Sequence, residues 1–222
     1  MNVRKKKDRI ARAKKIVAYL KRTYPEPKSE LQYKTPFQFL VAVVLSAQCT
    51  DKKVNQCTAE LFKKYRTTKD FARADIKKFS KEISSLTFYN NKAKNIIEAA
   101  KQIENEYAST LPRTAKELQQ LPGIGYKTAH VILGELYGIY EGIATDTHVK
   151  RFSKRFDLTD QEELEKISKD LEQIISKKDW RYVNNGFVLY GRYICIARPH
   201  DCSEHPLTKI YPKASNNWPK TR

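Results

Sequence analysis

Glycine is scarce in this chain, with seven in 222 residues, so each one asks for a local reason. Long apolar runs are missing as well. The longest, Phe39 to Leu45 and on to Ala47, is too short to cross a bilayer. The N-terminus has no apolar segment of the kind a secretory leader carries, which predicts a soluble, intracellular protein. Four cysteines, at 49, 57, 195 and 202, do not make a secreted disulfide scaffold at this length. No segment alternates as a strand between turn signals, and no internal repeat is evident. Acidic residues are few relative to basic ones, 25 against 43, for a net charge of +18. That excess predicts a polyanionic partner, nucleic acid first and an anionic membrane second.

What is present is helical periodicity, and the expected fold class is all-α. Half of the charge excess sits in Met1 to Arg22, with ten Lys/Arg and one Asp. Apolar residues there recur at Ile10, Ala13, Val17, Leu20 and Tyr24, on one helical face. This reads as a basic helix docked on a core, preceded by a solvated head over Met1 to Asp8. Buried or amphipathic helices are expected over Phe37–Ala47, Asp51–Tyr65, Asn90–Tyr107, Gln161–Ser176 and Arg181–Cys195. Thr114 to Glu117 reads as a capping box, with Thr114 accepting at the helix start and Glu117 reaching back.

Two of the seven glycines fall together in Leu121-Pro122-Gly123-Ile124-Gly125-Tyr126-Lys127-Thr128-Ala129. A helix that ends here and restarts at once needs a tight turn, which glycine accepts cheaply. Bare glycines also let a phosphate reach the backbone N–H groups at the next helix start, where the dipole favours an anion. Nineteen residues after Lys127 comes Asp146, in Ala144-Thr145-Asp146-Thr147-His148, suited to cap the following helix.

Leu121 to Ala129 together with Ala144 to His148 resembles the helix-hairpin-helix glycosylase superfamily, in its endonuclease III branch. The likeness runs in order from about Pro36 to Cys202, through Leu45-Ser46-Ala47-Gln48, Tyr89 to Ile97 and Gly191 to Arg198. The resemblance implies a base-excision DNA glycosylase with AP lyase activity, acting on damaged, oxidised pyrimidines. Lys127 matches the nucleophile that attacks the sugar C1′, and the attack needs its amine neutral. Asp146 matches the catalytic carboxylate, which stabilises positive charge on the sugar. Gln48 matches a plug that fills the space left by an extruded nucleotide, and Leu86 and Phe88 match the opposing wedge. The DNA-binding set is completed by Gly123, Gly125, Tyr126, Thr128 and His148, the last packing or hydrogen-bonding beneath the loop.

The resemblance also implies a barrel-like helical domain over residues 30–140, with the hairpin at about 115–137. A second helical domain combines 1–29 with 141–211, and 212–222 reads as a loose tail. The partner is double-stranded DNA with a damaged base or an AP site. The protein is expected as a monomer, away from membranes, in a cytoplasm with its nucleoid or in a nucleus. Many relatives hold an iron–sulfur cluster on four C-terminal cysteines. Here Cys195 and Cys202 are followed by His205 and Tyr211 at the remaining two positions, so no cluster is expected. Zinc on Cys195, Cys202, His205 and a further ligand such as His200 or Asp201 is chemically allowed, though the spacing fits no common zinc module. Cys49 and Cys57 read as small core fillers. Two alternatives stay open: a glycosylase for mismatched thymine, uracil or an alkylated purine, and a non-catalytic hairpin module that binds DNA.

Overall fold

The computed structural model describes residues 3–216, and within them every regular element is a helix. In chain order these are α1 Val3–Thr23, α2 Pro36–Ser46, α3 Asp51–Lys64, α4 Thr68–Ala72, α5 Ile76–Glu82, α6 Tyr89–Glu106, α7 Ala115–Leu118, α8 Tyr126–Tyr137, α9 Thr147–Arg155, α10 Leu164–Ile174, α11 Trp180–Tyr193 and α12 Pro206–Ile210. None is long and apolar enough to cross a membrane. The all-α expectation holds.

The chain divides into two units, Ser29–Glu141 and Met1–Lys28 with Gly142–Arg222. In the first, α2 is the central helix. Thr35 caps it by accepting from the Gln38 N–H at 3.2 Å, Pro36 supplies a preset first turn, and Phe37 to Leu45 are all buried. A helix apolar on every side belongs inside a core. It is packed by α3, α6 and α8. Rings of Phe37, Tyr65, Phe71 and Phe79 meet with centroids 5.2 to 5.9 Å apart. Each such buried side chain contributes about 1.5–3 kcal/mol. Short helices α4 and α5 supply two of those rings; their length, five and seven residues, hides them from a periodicity search. At Thr114 the cap differs from expectation. The Thr114 oxygen does accept from the Glu117 N–H at 3.2 Å, but the Glu117 carboxylate takes the Thr114 hydroxyl at 2.6 Å.

In the second unit, α1 lays Ala13, Ile16, Val17 and Leu20 against the core, with α11 as its main neighbour. Phe152 is ringed by Phe156, Phe187 and Tyr190 at 5.2 to 5.9 Å. From Val3 onward the basic head is helix, and residues 3–8 are exposed apart from half-buried Lys6. Arg9 is 1% exposed and donates to Asp157 and Asp160, both at 2.8 Å. Lys5 reaches Asp160 at 2.7 Å, and Arg12 reaches Asp157 at 3.2 Å. Pro212–Ser215, the start of the expected loose tail, is a 3-10 helix seated by buried Ala214. Residues 217–222 of that tail lie outside the described residues.

Candidate active site

Gly123 and Gly125 carry the hairpin for different reasons. Gly123 has φ +79°, a left-handed backbone, and a Cβ there would come within 2.9 Å of Asn95. Gly125 has φ −91°, which any residue adopts, and a Cβ there would meet nothing. The fold itself therefore makes no demand for glycine at 125. As the cap residue of α8 it offers no side chain to the first turn of that helix. Lys127 and Thr128 sit in that turn, both half-buried. Tyr126 lies beside buried His130, ring centroids 4.1 Å apart, and the His130 Nδ1–H donates to the Tyr126 carbonyl at 2.8 Å.

In the other unit, Asp146 caps α9. Its Oδ1 accepts from the N–H groups of His148 and Val149 at 2.8 and 2.9 Å, which fixes the carboxylate by two bonds. Thr145 before it is buried. His148 packs closely against Gly191 of α11 and lies 3.4 Å from the Arg151 guanidinium.

The residues expected to open a duplex divide by exposure. Phe88 is 61% exposed, a large apolar ring in water. Leu86 is 2% exposed and belongs to the core around Ile83 and Ala93, so it is a structural residue and corrects the expected wedge pair. Gln48 is exposed. Gln48 and Phe88 both have φ 55°, a backbone that costs a non-glycine residue about 1–3 kcal/mol and persists where neighbours hold it. Those neighbours are Thr87 and Lys92. Thr87 Oγ1 donates to the Gln48 carbonyl at 3.0 Å and lies 3.1 Å from the Cys49 thiol. The Lys92 ammonium donates to the Leu45 and Ala47 carbonyls at 2.8 and 2.7 Å. Burial pushes the Cys49 thiol up, but bonds from Thr87 and the charge of Lys92 bring it below its usual value. Cys49, partly buried against the core as Cys57 is, also joins this polar link. Lys92 was within sequence reach, since it stands four residues before Ile96 on the apolar stripe of α6, where a charge is out of place.

The C-terminal loop offers two thiols and two imidazoles. Arg155 donates to the Cys195 sulfur at 2.9 Å and to the Cys202 sulfur at 2.6 Å. The ligand atoms of Cys195, His200 and His205 lie within 4.8 Å of one another, and the buried His205 Nδ1 has no hydrogen-bond partner. Tyr211 instead stacks on Arg12, 4.0 Å from guanidinium carbon to ring. Cys49 and Cys57 belong to the other unit. A donor set of this kind does not match the four thiolates of a four-iron cluster.

Residues 41–177 match the HhH-GPD superfamily of base excision DNA repair proteins. The chain is 40% identical to endonuclease III of Synechocystis sp. over 212 residues, 96% of this chain and 97% of that one. It is 43% identical to endonuclease III of Rickettsia felis over 193 residues, 87% and 90% of the two chains. Among solved structures it resembles a trapped endonuclease III–DNA covalent intermediate in an estranged-adenine complex. That likeness has a TM-score of 0.87 at 34% identity, over 94% of this chain and 98% of that one.

Proposed function

The chain belongs to the HhH-GPD superfamily of base excision DNA repair proteins, and from that membership we infer a bifunctional DNA glycosylase and AP lyase of the endonuclease III type. Its partner is DNA. The substrate class is a damaged, oxidised pyrimidine in a duplex, or the AP site left by its loss, bound by one copy of the chain. The observation that carries the reading is the start of α8: a glycine the fold does not require, standing at a cap position where it offers no side chain, and a lysine in the turn that follows. The glycine leaves room for a backbone phosphate, which the helix N-terminus attracts.

Lys127 is the nucleophile. Its neutral amine attacks C1′, the bond from C1′ to the base breaks, and the base leaves with a proton. The C1′–O4′ bond then opens, O4′ taking a proton, to give a Schiff base that acidifies C2′; loss of the C2′ proton breaks the C3′–O bond, expels the 3′ phosphate and cuts the strand by β-elimination. Asp146, held by two backbone N–H groups, supplies the negative charge that favours a cationic sugar. Gln48 and Phe88 fill the stack after the nucleotide leaves it, while Gly123, Gly125, Tyr126 and Thr128 grip the strand. His148 supports the Asp146 turn from beneath.

Borohydride reduction of the Schiff base is the test. Wild-type protein is expected to form a covalent adduct with a lesion duplex, and Lys127→Gln to abolish it while duplex affinity stays within about threefold. An adduct that persists in Lys127→Gln would refute the assignment. A panel of single-lesion duplexes separates oxidised pyrimidines from mismatched thymine, uracil or alkylated purines, and salt-sensitive binding with no cleavage would mark a non-catalytic module. The C-terminal loop carries no four-iron cluster in this reading; stoichiometric iron with absorbance near about 400 nm would contradict it.

A further inference from the structure

Lys92 is 5% exposed, and its ammonium has for partners two carbonyls and a thiol, Leu45, Ala47 and Cys49. Burying an ammonium against uncharged acceptors costs desolvation that an apolar residue at the same place would avoid. What the charge provides is geometry. Helix α2 ends at Ser46; the Val44 and Ser46 carbonyls accept from the Ala47 and Cys49 N–H groups, and the Lys92 cation takes those of Leu45 and the cap residue Ala47. The same residue reaches the second turn through its backbone, because the Lys92 N–H donates to the Phe88 carbonyl at 3.1 Å. That backbone bond opens α6 and any residue but proline would make it, so what the Lys92 side chain adds is a tie between the chain before Gln48 and the helix turn that Phe88 caps. Thr87 closes the link from the other side with its bond to the Gln48 carbonyl. Both held residues are exposed and left-handed, a conformation that neither would keep unaided.

We propose that Lys92, assisted by Thr87, is a positioning residue that presets the Gln48 and Phe88 turns as one unit for insertion into a duplex. The inference rests on reading Gln48 and Phe88 as inserting residues. Lys92 touches no reacting atom and acts through the two turns. Rigid turns spare the ordering that insertion would otherwise require at the moment the stack opens.

The experiment compares two single-turnover rates on the full chain. One is excision from a duplex with a single oxidised pyrimidine, which requires extrusion. The other is incision at an AP site in single-stranded DNA, which does not. Lys92→Met keeps the stem and removes the charge. It is expected to slow duplex excision roughly 10- to 100-fold and to leave single-strand incision within about threefold. Thr87→Val, at an exposed position, is expected to show the same split at about fivefold, the worth of one hydrogen bond, and keeps the test open if Lys92→Met fails to fold. A role confined to stability would lower the melting temperature without splitting the rates. Equal slowing of both rates in a folded variant, or no slowing of either, overturns the proposal. Gln48→Ala and Phe88→Ala separate the two levels. If they split the rates and the Lys92 and Thr87 variants do not, the clamp is wrong and the insertion reading stands. If they fail to split the rates, the insertion reading fails, and the clamp falls with it.

Discussion

Lys92 in the 29–141 unit and Arg155 in the unit of 1–28 and 142–222 are both buried cations near the end of a helix, and their settings differ. The Lys92 ammonium holds carbonyls beside two strained, exposed residues, Gln48 and Phe88. The Arg155 guanidinium bonds two buried sulfurs and the Ala214 carbonyl, closing the C-terminal loop on itself. Arg9 is a third case, a buried cation matched by two carboxylates. The contrast teaches where this protein spends stability. Of the five left-handed non-glycine residues described, Gln48, Phe88, Ala108 and Ser109 lie on the 29–141 unit, and the fifth, Asp157, is held in the other unit by Arg9 and Arg12. The cations of the other unit join distant parts of its own chain.

The sharpest test of that contrast is Arg155→Met. It strips a donor from both sulfurs and is expected to cost about 2 kcal/mol, or roughly 4–8 °C in Tm by calorimetry. It should leave the ratio of duplex to single-strand rates as in wild type, the reverse of the Lys92→Met signature. An unchanged Tm would mean that the loop is held by other contacts.

Within the hairpin the same distinction separates two glycines. Gly123→Ala meets both a left-handed backbone and Asn95, and is expected to cost about 1–2 kcal/mol by urea denaturation. Gly125→Ala should lie within about 0.5 kcal/mol of wild type. Its effect should appear instead as a several-fold loss of duplex affinity by fluorescence anisotropy. Equal stabilities for the two variants would break the assignment of one glycine to the fold and the other to the partner.

The smallest effect concerns the acids beneath α1. Bonds from Lys5 and Arg9 hold the Asp160 carboxyl down to about 2. An unfolded aspartate titrates near about 3.9. The folded value lies below the unfolded one, so the contribution is complete above about pH 4–5 and is lost as pH falls through about 2. Asp160 is largely exposed, which limits the term to under about 1 kcal/mol. Unfolding of wild type and Asp160→Asn should therefore differ slightly at pH 6 and converge toward pH 2. Curves that stay parallel would show that Arg9 is held by Asp157 alone.

Much of the molecule was legible beforehand. The apolar stripe from Ala93 to Ile103 gives α6, and Asp146 stands where a cap belongs and does cap α9. Short α4 and α5 escaped because five to seven residues carry too few turns to show a period. Leu86 and Phe88 are alike in sequence, apolar residues of one loop, and only packing sends one into the core and the other into solvent. Glycine at 125 looked like a backbone requirement and is not one.

The chain's own order of residues determined its helices, its caps and the position of its turn, because those depend on groups within about four residues of one another. It determined as well that a polyanion is the partner, since charge adds up regardless of fold. Tertiary structure decided the rest. Lys92 finds its carbonyls 47 and 45 residues away, and Arg155 finds its sulfurs at 40 and 47. No local pattern encodes such pairs, because a buried cation's partner is set by which distant backbone arrives beside it when the core closes.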